Sequence, residues 1–132
     1  MILSVTAEYA DVYNVLGADP EGYRERMKTL DALCREIGRD SKEIERSWFG
    51  NLNVFKTWAE ADEYLAENKP EGVSVEDFVR NRIFGTAEQC IEKIKEYIKA
   101  GARYFIANAG PYEKPNGLKL FADEVIPAFK ER

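Results

Sequence analysis

The sequence predicts an α/β protein with about three short parallel strands and covering helices, and three observations carry that expectation. The stretch "GTAEQCIEKIKEYIKAGARYFIANAG" (85–110) is one complete helix-then-strand unit. Two further short apolar strands follow helices elsewhere in the chain. Hydrophobic residues make up 45%, with seven Phe, seven Tyr and two Trp, enough for a core, while the 33% charged fraction is spread rather than blocked. A buried strand fed by an amphipathic helix normally belongs to a parallel sheet covered by helices. At 132 residues the chain is expected to be a single domain, 1–132.

Taken in order, residues 2–10, "ILSVTAEYA", read as the last turns of a helix with Ile2, Leu3 and Val5 as its apolar positions and no cap before them. "DVYNV" (11–15) is a short strand, and Gly17-Ala18-Asp19-Pro20 turns the chain. Asp19 caps and Pro20 opens a helix whose apolar stripe is Tyr23, Met27, Leu30, Cys34 and Ile37, closed by Gly38. In "RSWFGNLNVF" (46–55) Trp48, Leu52 and Val54 alternate with polar positions, a second strand. Thr57 and Glu60 form a capping-box pair that opens a helix through about Asn68, and "KPEG" (69–72) is the strongest break. Ser74 caps a helix carrying Val75, Phe78, Val79 and Ile83. Thr86 with Gln89 starts the next helix, with Ala87, Ile91, Ile94 and Ile98 on one face and Gly101 at its end. Tyr104 to Ala107 is the third strand. A Pro- and Gly-containing loop (110–117) leads to a last helix with Leu118, Phe121, Val125 and Ile126.

Charge and composition narrow the function classes. A net charge of −5 without clustered Lys or Arg argues against a nucleic-acid or anionic-membrane surface. No apolar run is long enough to span a bilayer and no signal-peptide pattern opens the chain, so the expectation is a soluble cytoplasmic protein. Cys34 and Cys90 stand alone on separate predicted helices, which suits buried reduced thiols and offers no metal spacing. Without any histidine there is no general base tuned near neutral pH and no Ser-His-Asp or Cys-His arrangement.

The segments "AEYADVYNV", "YRERMKTLDALCREIGRD" with "IERSWFGN", "GTAEQCIEKIKEYIKAGARYFIAN" and "LFADEVIPAF", in this order and spacing, resemble the C-terminal part of the luciferase-like monooxygenase superfamily. The resemblance runs along nearly the whole chain and is weakest across 55–80. It implies a flavin- or deazaflavin-dependent oxidoreductase built as a (β/α)8 barrel. Such a barrel typically needs about 250 residues, so the implied fold here is a partial barrel. The uncapped opening helix fits a cut through a longer ancestor.

Ligands of such barrels bind at the C-terminal ends of the strands. Asn14 closes the first strand, Asn51 and Asn53 lie in the second, and Asn108 closes the third. Their amides offer donor and acceptor to a flavin ring edge, ribityl chain or phosphate, and Asn14, Asn51 and Asn108 are the cofactor-binding candidates. Asn also favours strand ends and turns for local backbone reasons. Gly17 ahead of the Asp19-Pro20 helix start, and Gly110-Pro111, could each cradle a phosphate, although Asp19 already occupies its helix end. Glu8 and Asp11 suit a salt bridge or cap, and Tyr9, Tyr13, Tyr104, Trp48 and Trp58 could stack on a ring or serve as core. The resemblance places much of the cofactor pocket on earlier strands, so no catalytic residue and no metal ligand is assigned.

Two functions follow as expectations. One is a truncated or split luciferase-like oxidoreductase component, with FMN or a deazaflavin as cofactor and no activity as an isolated chain. The other is a non-catalytic self-associating or partner-binding α/β module, possessing no cofactor. Three parallel strands leave two unpaired edges, which favours a homo-oligomer, most simply a homodimer, or a separate N-terminal barrel polypeptide as partner.

Overall fold

The computed structural model describes residues 2–110 and 116–130. It contains α1 (Ile2–Tyr9), β1 (Val12–Leu16), α2 (Pro20–Glu36), β2 (Glu45–Phe55), α3 (Trp58–Asn68), α4 (Val75–Val79), β3 (Ile83–Thr86), α5 (Ala87–Ala100), β4 (Tyr104–Asn108) and α6 (Asn116–Leu120). The strand order is β1-β2-β3, with β4 also paired to β2. The α/β class is as expected, and the described strands number four rather than three.

Two compact units share the chain: Met1–Phe49 with Glu96–Ile106, and Gly50–Lys95 with Ala107–Arg132. In the first, β1 runs parallel to the opening half of β2, Val12 opposite Glu45 through Leu16 opposite Phe49. Asp19 caps α2 by accepting from the Gly22 amide at 2.7 Å, and Pro20 occupies the first turn, where its missing N–H costs nothing. Tyr23, Met27, Leu30 and Cys34 are buried along one side of α2. Ile37, expected to extend that stripe, is the cap residue and 54% exposed. Gly38, at φ +73°, turns the chain away before the stripe can continue.

Trp48 is fully buried against Tyr97 and Phe105, with ring centroids 5.1 and 6.0 Å away. The Ala18 carbonyl accepts from the Tyr97 hydroxyl at 2.7 Å and the Trp48 indole N–H at 3.4 Å, so both polar tips are satisfied inside the core. The Tyr23 hydroxyl donates to the Ser47 carbonyl at 3.0 Å. A second cluster joins Ala7, Leu30, Cys34 and Ile44, with Leu3, Tyr13 and Leu33 at its margin. The Arg39 guanidinium donates to the Ala7 and Ala10 carbonyls at 2.9 and 2.7 Å, closing the C-terminal end of α1.

In the second unit the closing half of β2 pairs in parallel with β3, Leu52 opposite Ile83 through Phe55 opposite Thr86. The helix expected to run from Ser74 through Ile83 stops at Val79, and Ile83 opens a strand instead. Two features decide this. Gly85 sits at φ +129°, outside the helical region, and β2 offers a strand edge on which this backbone is satisfied. Ala61, Leu65 and Phe84 form the core here, ringed by Phe55, Tyr64, Phe78 and Val79. Thr57 caps α3 through the Glu60 amide at 3.3 Å, and the Glu60 carboxylate accepts in return from the Lys56 amide at 3.0 Å.

The phase of α5 also differs from expectation. Its buried residues are Cys90, Ile94, Tyr97 and Ala100, whereas Ile91 and Ile98 are half-buried flanks. Cys and Tyr therefore hold positions that an isoleucine-only reading gave to Ile91 and Ile98. The expected last helix begins as α6 but relaxes into a π turn over Phe121–Val125 and a 3-10 turn over Ile126–Phe129. Pro127 has no amide to donate to a carbonyl four residues back, so the regular ladder cannot continue there. Only Val125 of its expected apolar residues is buried. Pro111, and most of the 110–117 loop, lie outside the described residues.

Candidate functional site

Alternation along β2 sets its chemistry. Trp48, Leu52 and Val54 point into buried apolar surroundings, so Ser47, Phe49, Asn51, Asn53 and Phe55 project to the opposite side. In the first unit Asn14 joins Ser47, whose hydroxyl donates to Asn14 Oδ1 at 2.8 Å. Asn14 itself is exposed. Asn51 is half-buried. Asn108 is exposed at the end of β4, and its Oδ1 accepts from the Gly110 amide at 3.4 Å, the local turn contact that asparagine favours.

Asn53 stands apart from these. Its Oδ1 is buried without a hydrogen-bond partner, the sole such side-chain atom found among the described residues. Asn53 lines a cavity of about 640 Å3 within the second unit, bordered by Phe55, Lys56, Glu60, Tyr64, Glu67 and Leu120 among others. Asn14, Asn51 and Asn108 do not line it. The sequence placed Asn53 beside Asn51 on β2, but strand periodicity carries no signal that the Asn53 amide oxygen is buried and unpaired.

Several of the remaining candidates hold structural positions. The Gly17 amide donates to the Phe49 carbonyl at 3.1 Å and the Asp19 carboxylate holds the Gly22 amide, so that turn is engaged internally. Trp48 is core, Tyr13 packs at the margin of the Ala7 cluster, and Trp58 meets Phe84 edge-on at 6.2 Å. Burial pushes the Cys90 thiol up to about 12 and the Tyr23 hydroxyl to about 12, and raises Tyr97 further, leaving all three protonated near neutrality. Both cysteines are free and buried. No group of His, Cys, Asp and Glu that could hold a metal ion occurs among the described residues. None of the described helices is long and apolar enough to cross a membrane.

A second feature of the first unit is apolar exposure. On β1 and β4, Val12, Leu16, Tyr104 and Ile106 are 51, 66, 54 and 39% exposed. On α1, Ile2, Val5 and Tyr9 are exposed at spacings of three and four, a continuous stripe on one helix side. Exposed large apolar side chains of this kind are candidate contact surface.

Neither a protein-family model nor a curated protein matches the sequence. Solved structures do. The coenzyme F420-dependent tetrahydromethanopterin reductase of Methanopyrus kandleri matches with a TM-score of 0.75 and 20% identity over 97% of this chain and 48% of its own. An F420-dependent secondary alcohol dehydrogenase, solved with an F420-acetone adduct, gives 0.77 and 20% over 98% and 46%. The oxygenating constituent of 3,6-diketocamphane monooxygenase from Pseudomonas putida, a Type II Baeyer-Villiger enzyme solved with FMN, gives 0.65 and 16% over 98% and 46%. The chain thus shares the fold of part of each of these enzymes. It spans about half the length of these structures.

Proposed function

We propose that the chain is a truncated or split component of a luciferase-like flavin- or deazaflavin-dependent oxidoreductase of the monooxygenase type, inactive by itself, acting in the cytoplasm. The observation that carries this reading is the exposed apolar surface of β1 and β4 on a fold shared with about half of F420- and FMN-dependent enzymes. A second polypeptide covers that surface, most simply another copy in a homodimer, otherwise a separate chain supplying N-terminal barrel strands. FMN or a deazaflavin is the cofactor of the completed assembly, with Asn14, Asn51 and Asn108 as contacts. The Asn14 amide N–H2 suits a ring carbonyl or phosphate oxygen, because its own oxygen is already held by Ser47. The 132 residues act as one domain throughout.

The absence of histidine favours a second reading, a non-catalytic self-associating or partner-binding module. Sedimentation equilibrium at micromolar concentration and calorimetry with FMN test both. The expected result is a dimer burying more than about 2,000 Å2, with weak or no FMN binding by this chain alone. Leu16→Lys should shift it toward monomer. A folded monomer whose melt is independent of concentration would overturn the assembly. Tight stoichiometric FMN binding would overturn the expectation that this chain alone binds the cofactor weakly or not at all.

A further inference from the structure

We propose that two copies of this chain join edge to edge, the open edge of β1 in each pairing with the open edge of β4 in the other. This seam rests on the homodimer reading above and adds which strands meet. Backbone hydrogen bonds of the first unit locate the two edges. The Glu45 amide donates to the Asp11 carbonyl at 2.8 Å and the Gly17 amide to the Phe49 carbonyl at 3.1 Å, so Glu45 and Phe49 turn their backbone toward β1. Backbone groups of successive residues in a strand point to opposite edges, so the Arg46 carbonyl faces the other way. There it accepts from the Arg103 amide, one residue ahead of β4, at 2.9 Å. β4 therefore lies across β2 from β1, and among the described residues neither outer strand pairs with a further one. By the same alternation Val12, Asn14 and Leu16 turn their amides and carbonyls off the open side of β1.

Stable monomers blunt such edges with Lys, Pro or inward-pointing charge. "VYNVL" and "YFIAN" contain no proline and no charged residue. Their exposed apolar side chains also share one face of the sheet. Val15 is in register with Trp48 and buried as it is, so Val12 and Leu16 project from the other face. Phe105 packs on Trp48, which sends Tyr104 and Ile106 to that same other face. Joining β1 to β4 makes one apolar strip of the four. A second copy is the occupant because it carries both complements in equal number. A two-fold pair satisfies β1 and β4 of each chain at once, whereas pairing β1 with β1 leaves two β4 edges open. Length agrees with this. The chain spans 48% and 46% of the two F420-dependent enzymes, so two copies bring together about as much chain as one of them.

Sedimentation equilibrium at micromolar concentration establishes the dimer, and thiol cross-linking reads the seam. Adjacent strands lie about 4.8 Å apart, so a bifunctional maleimide spanning about 10 Å bridges the central positions of two paired edges. Asn14→Cys and Ile106→Cys chains, one of them carrying a mass tag, are prepared separately, then mixed and left to exchange. Cys34 and Cys90 are buried, so the parent chain serves as the blank. The mixture is expected to give a cross-linked dimer of one chain of each kind, severalfold more than either variant gives alone. Should Ile106→Cys fail to fold by circular dichroism, Tyr104→Cys, at a 54% exposed position, takes its place. Asn14→Cys chains cross-linking among themselves as well as in the mixture would assign a like-with-like seam. A sedimenting dimer without cross-link in the mixture would put the contact away from these edges. Either result overturns the proposal and leaves the homodimer standing. A monomer throughout would overturn the homodimer, and this seam with it.

Discussion

Replacing Ile94 by Ala asks whether α5 is seated as described. Ile94 is 6% exposed, so truncation removes three buried carbons, about 2.4 kcal/mol at about 0.8 kcal/mol each. The unfilled space adds to this, within the range of about 2–5 kcal/mol for such core truncations. Ile91→Ala makes the same chemical change on the same helix, with the same gain in helix propensity, but at a half-buried position. It should cost about half as much, near 1 kcal/mol. Lys95→Ala removes an exposed side chain whose contact is a 3.3 Å ion pair with Glu92, and should cost under about 0.5 kcal/mol. Urea unfolding followed by circular dichroism at one fixed protein concentration gives the three values, provided the slope m is unchanged. Ile91→Ala costing as much as Ile94→Ala would show that the buried stripe is not Cys90, Ile94 and Tyr97.

Three further outcomes are expected. Tyr97→Phe should cost about 1 kcal/mol by thermal or urea melting, because the Ala18 carbonyl keeps the Trp48 indole as a donor. Cys34 and Cys90 should resist a thiol reagent in the native protein at neutral pH and react once denatured, since both are buried and burial holds Cys90 protonated to about 12. Burial raises the Asp31 carboxyl, but hydrogen bonds from Ser41 and Arg46 and the charges of Arg46 and Arg35 outweigh it and leave it below the ordinary carboxylate value. That contribution is present above the unfolded carboxyl pKa and is lost as pH falls through the folded one, so Asp31→Asn should flatten the acid limb of a stability–pH curve.

Legibility followed the range of the physics involved. The caps at Asp19, Thr57 and Ser74 and the stop at Gly38 were readable because each is an interaction within four residues of chain. The β2 alternation was readable too, and it correctly buried Trp48, Leu52 and Val54. The Ser74 helix was overextended because Ile83 continues its apolar spacing, while the β2 edge that claims Ile83 is about thirty residues away in sequence. Among the site residues, the sequence could point to asparagines at strand ends. It could not show that Asn14 is held by Ser47, that Asn108 serves its own turn, or that Asn53 keeps an unpaired oxygen.

The sequence by itself determined the α/β class, the capped helix starts, three of the four described strands and the resemblance to luciferase-like oxidoreductases. These rest on periodicity, capping and composition, which act locally and survive without knowledge of neighbours in space. Only the tertiary structure decided the fourth strand, the phase of α5, the Arg39 clasp on α1, the apolar exposure of β1 and β4, and the cavity around Asn53. Each of those depends on what lies beside a residue across the fold. Burial and hydrogen-bond satisfaction are properties of a neighbourhood assembled from distant segments, so they become definite only when the chain is folded.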